Sequence, residues 1–412
     1  MQRVVVTGMG TVNPIGLDVA STWQNAISGT SGVGPITRFD SSEMLVHIAC
    51  EIKDFDAEQH MRARDARRRD LYEQYAFVAV QEAMQQSGLT IDEENAGRTA
   101  VIISTAVGGF VTLQEAFRVL FDSGARRLSP FVIPMFMPNG AAGLVAIELG
   151  VKGPCFSVAS ACASGADAIG QAWLMLRSGF MDAAIAGGSE ATICEMGVGA
   201  FDRLGAMSRR NDQPDRTPSP FDINRDGLVM GEGSGIMILE TLDHAERRGA
   251  DVLAELIGYG STADAYHVTA PAEDGQGGAA AMQGAMRIAN LDPQDVDYIN
   301  AHGTGTRLND VAETRAIKTA LGKHAQDVLI SSTKSMTGHL MGATAALEAL
   351  FCVQAIREKI VPPTINLRDP DPECDLDYVP NQARELPVRV AMTNAFGFGG
   401  HNAVLAFREF SG

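Results

Sequence analysis

The chain has 412 residues, 45% hydrophobic and 20% charged, with a formal net charge of −17. That length exceeds what one hydrophobic core usually holds, so two domains or two fused halves are expected, with the composition of an ordinary soluble globular protein. The acidic balance argues against nucleic acid as a general partner, because phosphate binding needs a basic face.

Arg3-Val4-Val5-Val6-Thr7-Gly8 reads as a strand running into a glycine turn, with no charged leader, apolar signal core or cleavage site before it. The pattern then predicts a helix over 71–87, a strand over 100–104, a helix over 166–177, and strands over 183–186 and 236–239. The segment 212–226, rich in Pro, Asp and Arg, reads as an ordered loop. A second strand before a Gly-x-Gly turn lies at 256–261. It is followed by a helix over 277–289, a strand over 298–300, a helix over 312–321 and a strand over 328–331. The stretch 343–358 is apolar round much of its circumference, so that helix is expected to be buried between layers. Strands over 390–393 and 403–407 close the chain.

This alternation implies βαβ crossovers and mostly parallel sheets covered by helices, an α/β fold. The resemblance of 4–10 to 256–261 suggests two halves, 1–250 and 251–412, with the larger insertions in the first. The apolar stretch 140–149 is too short to cross a bilayer, and no membrane span is expected. Six cysteines, at 50, 155, 162, 194, 352 and 374, have neither C-x-x-C spacing nor the density of a disulfide framework. Free thiols in a reducing, cytoplasmic setting are expected.

Four islands place reactive residues among small ones: 157–165 with Cys162, 300–306 with His302, 332–339 with Lys334 and His339, and 394–402 with Phe398 and His401. Cys162 sits where a strand-like approach meets a helix start, whose positive potential should lower the thiol pKa. The other five cysteines read as buried core residues. His302 follows a strand end and His339 precedes the buried helix, the places where α/β sheets gather their sites. Zinc held by Cys162, His302 and His339 is the competing reading. Short metal-ligand spacings are missing, however, and Lys334 would repel a cation. Gly8-Met9-Gly10 lacks the third glycine and the partner acid of a dinucleotide fingerprint. The loop 397–400 is better suited to presenting backbone N–H groups to a developing oxyanion. His401, beside the terminal strand, reads as a turn-packing residue. Arg62 to Arg69 hold five arginines in eight residues of an acidic chain. The run suits a docking patch for an acidic partner, extended by Arg126 and Arg127.

The four islands, in this order, resemble the β-ketoacyl-acyl carrier protein synthases of the thiolase fold, most closely the type II elongating synthases of fatty acid biosynthesis. The resemblance covers essentially the whole chain and extends to 221–227, 264–269 and 361–367. It implies two pseudo-repeated halves in an α-β-α-β-α core, the first carrying Cys162 and the second the histidines and Lys334. By that resemblance Cys162 accepts the acyl chain. His302 and His339 assist malonyl decarboxylation and stabilise the enolate, and Lys334 organises the site with Glu348. Asp310 is a structural acid. Backbone N–H groups of Cys162 and Phe398 form the oxyanion hole, and Phe398 also gates the acyl pocket. Thr304 and Thr306 hold the phosphopantetheine arm, while Val107 and Phe201 set pocket depth. Arg64, Arg67, Arg68, Arg126 and Arg127 contact the carrier protein.

No metal or redox cofactor is implied, since phosphopantetheine arrives on the acyl carrier protein. A homodimer is implied as well. Gly305, Ala395 and His401 depart from residues common in bacterial type II members and look more like mycobacterial elongation synthases or polyketide ketosynthases. They leave a polyketide or specialised-lipid pathway open. A degradative thiolase would share the fold but carry a second cysteine near the C-terminal glycine loop, where this chain has only His401. A non-catalytic chain-length partner would lack the nucleophile.

Overall fold

In the computed structural model, which describes residues 1–412, the first strand runs Val4–Val12 and every residue in it is buried. Gly8 and Gly10 therefore lie within a strand, not in the expected turn. A Cβ on Gly10 would stand 1.9 Å from the carbonyl oxygen of Ala79, on the helix Leu71–Ser87. The same correction holds at Gly258 and Gly260, inside the strand Ala254–Ala263. There a Cβ on Gly260 would stand 2.0 Å from the carbonyl oxygen of Ala281, on the helix Gln276–Ala289. At both places glycine lets a helix lie close against a sheet.

Ten strands form one continuous sheet. From one edge the order is Leu329–Ser331, Tyr298–Asn300, Val390–Gly397, His401–Arg408 and Ala254–Ala263. It continues through Val4–Val12, Gly233–Thr241, Ala183–Glu190, Thr99–Ser104 and Cys155–Phe156. The two groups of five mirror one another: in each, the outer three strands run parallel and the inner pairs antiparallel. They meet at a short antiparallel seam, Val5 opposite Glu255 and Val6 opposite Ala254. The sheet is thus mixed, not mostly parallel. One reason is local: Val390–Gly397 returns directly into His401–Arg408 through residues 398–400, a connection only antiparallel neighbours can use.

Helices separate the groups into layers. Ser164–Arg177 and Thr344–Glu358 pack on each other and on strands of both groups, forming the middle layer. Leu71–Ser87 covers the outer face of the first group, and Gln276–Ala289 with Arg307–Leu321 covers that of the second. Every residue from Thr344 to Ile356 is buried, as expected for an all-round apolar helix between sheets. The largest apolar cluster, 48 residues, surrounds this middle layer, and clusters of 24 and 22 lie under the outer helices. The expected α-β-α-β-α layering is present. Cys155 corrects one expectation, because it is exposed on the edge strand while the other five cysteines are buried. No helix is long and apolar enough to cross a membrane.

Candidate active site

Both central helices begin at the same end of the molecule, and the site is built on their first turns. Cys162 lies in the 3-10 turn Ala161–Ala163, which runs straight into Ser164–Arg177. Ala161 has φ +51°, a sparsely populated conformation for a residue with a Cβ. Hydrogen bonds hold the bend. Ser160 N–H donates to Ser164 Oγ at 2.9 Å, and the Ser160 hydroxyl donates to Asp167 Oδ2 at 2.5 Å. From the other half of the sheet, the Tyr259 hydroxyl donates to Asp167 Oδ1 at 2.6 Å.

His302 follows the strand Tyr298–Asn300, and its turn is clamped by one carboxylate. Glu313, on Arg307–Leu321, accepts from the N–H groups of His302 and Gly303 at 2.8 and 2.7 Å. His339 follows Gly338 and leads into Thr344–Glu358. Its Nε2 lies 3.1 Å from Cys162 Sγ, and its Nδ1 receives the Met341 N–H at 3.0 Å and lies 2.9 Å from the Thr344 hydroxyl. A backbone N–H can only donate, so Nδ1 accepts and the neutral ring carries its proton on Nε2, facing the sulfur. The two imidazoles meet edge to face, ring centres 5.4 Å apart. The sulfur and one nitrogen from each ring all lie within 4.8 Å of one another.

Charge around this trio sets its chemistry. Lys334 Nζ donates to Glu348 Oε1 at 2.6 Å, and both side chains are buried. Burial and the neighbouring Lys334 push both imidazoles well below the ordinary histidine value, so each is a neutral hydrogen-bond donor. Burial raises the Glu348 carboxyl to about 8 against the pull of Lys334. The expected low thiol pKa is corrected. Burial raises Cys162 to about 11, although Lys334 and the N–H groups of Phe398 and Cys162 all pull it down. Desolvation outweighs the favourable helix start. Those same two N–H groups converge on the sulfur. Gly397 permits this approach, since a Cβ there would stand 3.0 Å from Cys162 N.

Cys162 is 8% exposed and lines a cavity of about 70 Å³ together with His302, His339, Phe201 and Phe398. Phe201 and Phe398 stack at 6.2 Å. Thr304 and Thr306, their hydroxyls 2.9 Å apart, line the way out, and Thr306 and Phe398 also border an outer chamber. Asp310 sits away from the sulfur, accepting from Phe221 N–H at 2.9 Å and pairing with Arg225 at 3.5 Å. Val107 is half-buried and lies outside the cavity lining. His401 is exposed at the start of its strand. Arg64, Arg67, Arg68, Arg126 and Arg127 are all exposed. Arg68 lies over the Phe131 ring at 4.4 Å, which brings the 62–68 run beside the 125–131 segment. Arg69 of the same run is buried and bound to Glu148.

Sequence reasoning missed Glu313, Thr344 and Glu190. Glu313 left one signal, a carboxylate next to Ala312 and Ala316 on the apolar side of a helix opening just after His302. Nothing local marks Glu190, whose partners come from 105–107 and 342.

The chain matches the family described as Beta-ketoacyl synthase, N-terminal domain, over residues 1–245, and Beta-ketoacyl synthase, C-terminal domain, over 253–368. It is 49% identical over 409 residues to a 3-oxoacyl-[acyl-carrier-protein] synthase 2 of Staphylococcus aureus (strain COL), covering 99% of each chain. The fold is similar to a beta-ketoacyl synthase from Burkholderia phymatum STM815, with TM-score 0.93, 35% identity and 100% of each chain covered. It is also similar to a chain of AntDE:AntF, a type II PKS acyl-carrier protein in complex with its ketosynthase. There the TM-score is 0.91 at 35% identity, covering 99% of this chain and 100% of that one. A thiol under two N–H donors, facing two neutral imidazoles across both halves of one sheet, thus stands in a chain matched throughout by one kind of enzyme: it belongs to the β-ketoacyl synthase family.

Proposed function

We propose that the chain is a 3-oxoacyl-[acyl-carrier-protein] synthase that lengthens fatty acyl chains by two carbons through decarboxylative condensation. The observation that carries this is the convergence of Cys162, His302 and His339 within 4.8 Å at the floor of one cavity. First, the Cys162 sulfur attacks the carbonyl of an acyl-carrier thioester. A new C–S bond forms, the carrier thiol leaves with the proton, and the N–H groups of Cys162 and Phe398 hold the transient oxyanion. Malonyl-carrier protein then loses CO₂, and the electron pair of the broken C–C bond passes to an enolate. His302 and His339, neutral donors, stabilise that oxygen. The enolate carbon attacks the acyl-cysteine, the C–S bond breaks to release a 3-oxoacyl-carrier product, and the Cys162 thiolate takes one proton from water to restore the thiol. Thr304 and Thr306 hold the pantetheine arm, and Phe201 and Phe398, which line the cavity, bound the acyl chain.

The halves 1–250 and 251–412 supply the nucleophile and the imidazoles respectively, so neither is active alone. A cytoplasmic homodimer served by acyl carrier protein completes this reading, and phosphopantetheine enters only as part of the substrate. The fatty acid assignment over a polyketide one rests on the 49% identity to a fatty acid-type relative. Against a degradative thiolase, Cys162 is the one cysteine lining the cavity.

The test is release of CO₂ and formation of 3-oxoacyl product from acyl- and malonyl-carrier proteins. Zinc is tested separately. The trio has the donors for it, but Lys334 beside the rings opposes a cation. Prolonged dialysis against a chelator is expected to leave the rate unchanged, whereas a loss restored by Zn²⁺ would favour the metal reading. The exposed arginines are proposed as the carrier-protein dock. Arg67→Glu with Arg68→Glu is expected to raise KM for carrier substrates roughly tenfold with little change in kcat, and to weaken its salt dependence. An unaltered KM would remove the dock from this surface.

A further inference from the structure

The turn before the second central helix copies the turn that carries the nucleophile. Met341–Ala343 is a 3-10 turn running into Thr344–Glu358, as Ala161–Ala163 runs into Ser164–Arg177. Each opens on a non-glycine residue of positive φ, +51° at Ala161 and +46° at Met341. Cys162 and Gly342 hold equivalent places. At the first turn the Cys162 N–H is directed at the reacting sulfur. At the second, the Gly342 N–H donates to a carboxylate of the chain itself, Glu190 Oε2, at 3.0 Å.

Glu190 ends the strand Ala183–Glu190 and is fully buried. It also accepts from Ala106 N–H at 2.7 Å, from the Thr105 hydroxyl at 2.8 Å and from Val107 N–H. Thr105 Oγ1 receives Gly108 N–H at 3.1 Å, which leaves its own proton for Glu190. Burial raises the Glu190 carboxyl to about 7, and its hydrogen-bond partners, all donors, pull it back toward the ionised form. The condensation scheme uses none of this.

We propose that Glu190 is a positioning residue for His339, acting through two consecutive peptide groups. It holds the Gly342 N–H, and the preceding N–H, of Met341, donates to His339 Nδ1 at 3.0 Å. A positive φ at Met341 persists only where surrounding bonds over-determine it. Glu190 supplies that constraint from the strand side. With the turn held, Nδ1 must accept and the proton stays on Nε2, toward the sulfur. The inference rests on the condensing reading above, in which the second half-reaction uses that Nε2 proton.

Glu190→Gln keeps the size but turns an amide NH₂ toward groups that are themselves donors. Condensation is expected to fall about tenfold, while acylation of Cys162, which uses the other turn, changes by less than about twofold. Histidine-selective ¹⁵N labelling supplies the readout that a merely structural role would not move. In the unsubstituted protein the His339 signals, assigned by their loss in His339→Gln, should show an unprotonated Nδ1 and a protonated Nε2. In Glu190→Gln they should move toward a tautomer mixture. Equal losses in both half-reactions with an unmoved tautomer, or no change in either, would overturn the link. A protonated Nδ1 in the unsubstituted protein would do so without any variant that must fold. Absence of CO₂ release by the unsubstituted protein would instead sink the condensing reading and leave the tautomer result standing.

Discussion

Cys162→Ala is expected to abolish acyl transfer from carrier protein, by at least about 10⁴-fold, the scale on which covalent catalysis fails without its nucleophile. The physical reason is local. No other cysteine lines the cavity, and the two N–H groups that would hold the oxyanion converge on this sulfur alone. The substitution removes one atom from the cavity wall, so the fold should survive. Intact-protein mass after incubation with acyl-carrier protein measures the outcome: the unsubstituted protein gains the acyl mass and the variant does not. Decarboxylation of malonyl-carrier protein should persist in the variant, because His302 and His339 are untouched. An acyl adduct on the variant would refute the nucleophile assignment.

His339→Ala should show the reverse pattern. It removes a neutral N–H donor that sits 3.1 Å from the sulfur, with its proton placed there by the Met341 N–H on the far side of the ring. Losing one preorganised donor to a developing oxyanion costs about 10²–10³ in rate, so CO₂ release and condensation should fall by that factor. Acylation of Cys162 should remain within about threefold, since its oxyanion is held by backbone groups. Single-turnover measurements of the two half-reactions separate these outcomes. If acylation fell as far as decarboxylation, His339 would be serving the thiol rather than the enolate.

Much of the architecture was legible in the letters. The helices 71–87 and 344–358 and the short strand 298–300 stand where periodicity puts them, because burial on one face or on all faces leaves a direct imprint on residue type. The Gly-x-Gly segments at 8–10 and 258–260 misled for a physical reason: glycine answers both a turn and a close helix contact, and only the neighbour distinguishes them. The thiol's ionisation misled in the same way, since a helix start was visible but the desolvation that outweighs it was not. Glu190 left no trace at all, because a carboxylate bonded to three backbone N–H groups from distant loops has no local pattern.

The sequence by itself determined which reactive groups the protein owns, the small residues beside them, and the element on which each is mounted. These depend on side-chain chemistry and on propensities that act over a few residues. Only the tertiary structure decided that Cys162 and His339, 177 positions apart, would stand 3.1 Å from one another. It alone decided the tautomer of that imidazole, the neutrality of both rings and the mixed order of the sheet. Distance, desolvation and strand direction are properties of what surrounds a residue, and the surroundings are assembled from every part of the chain at once.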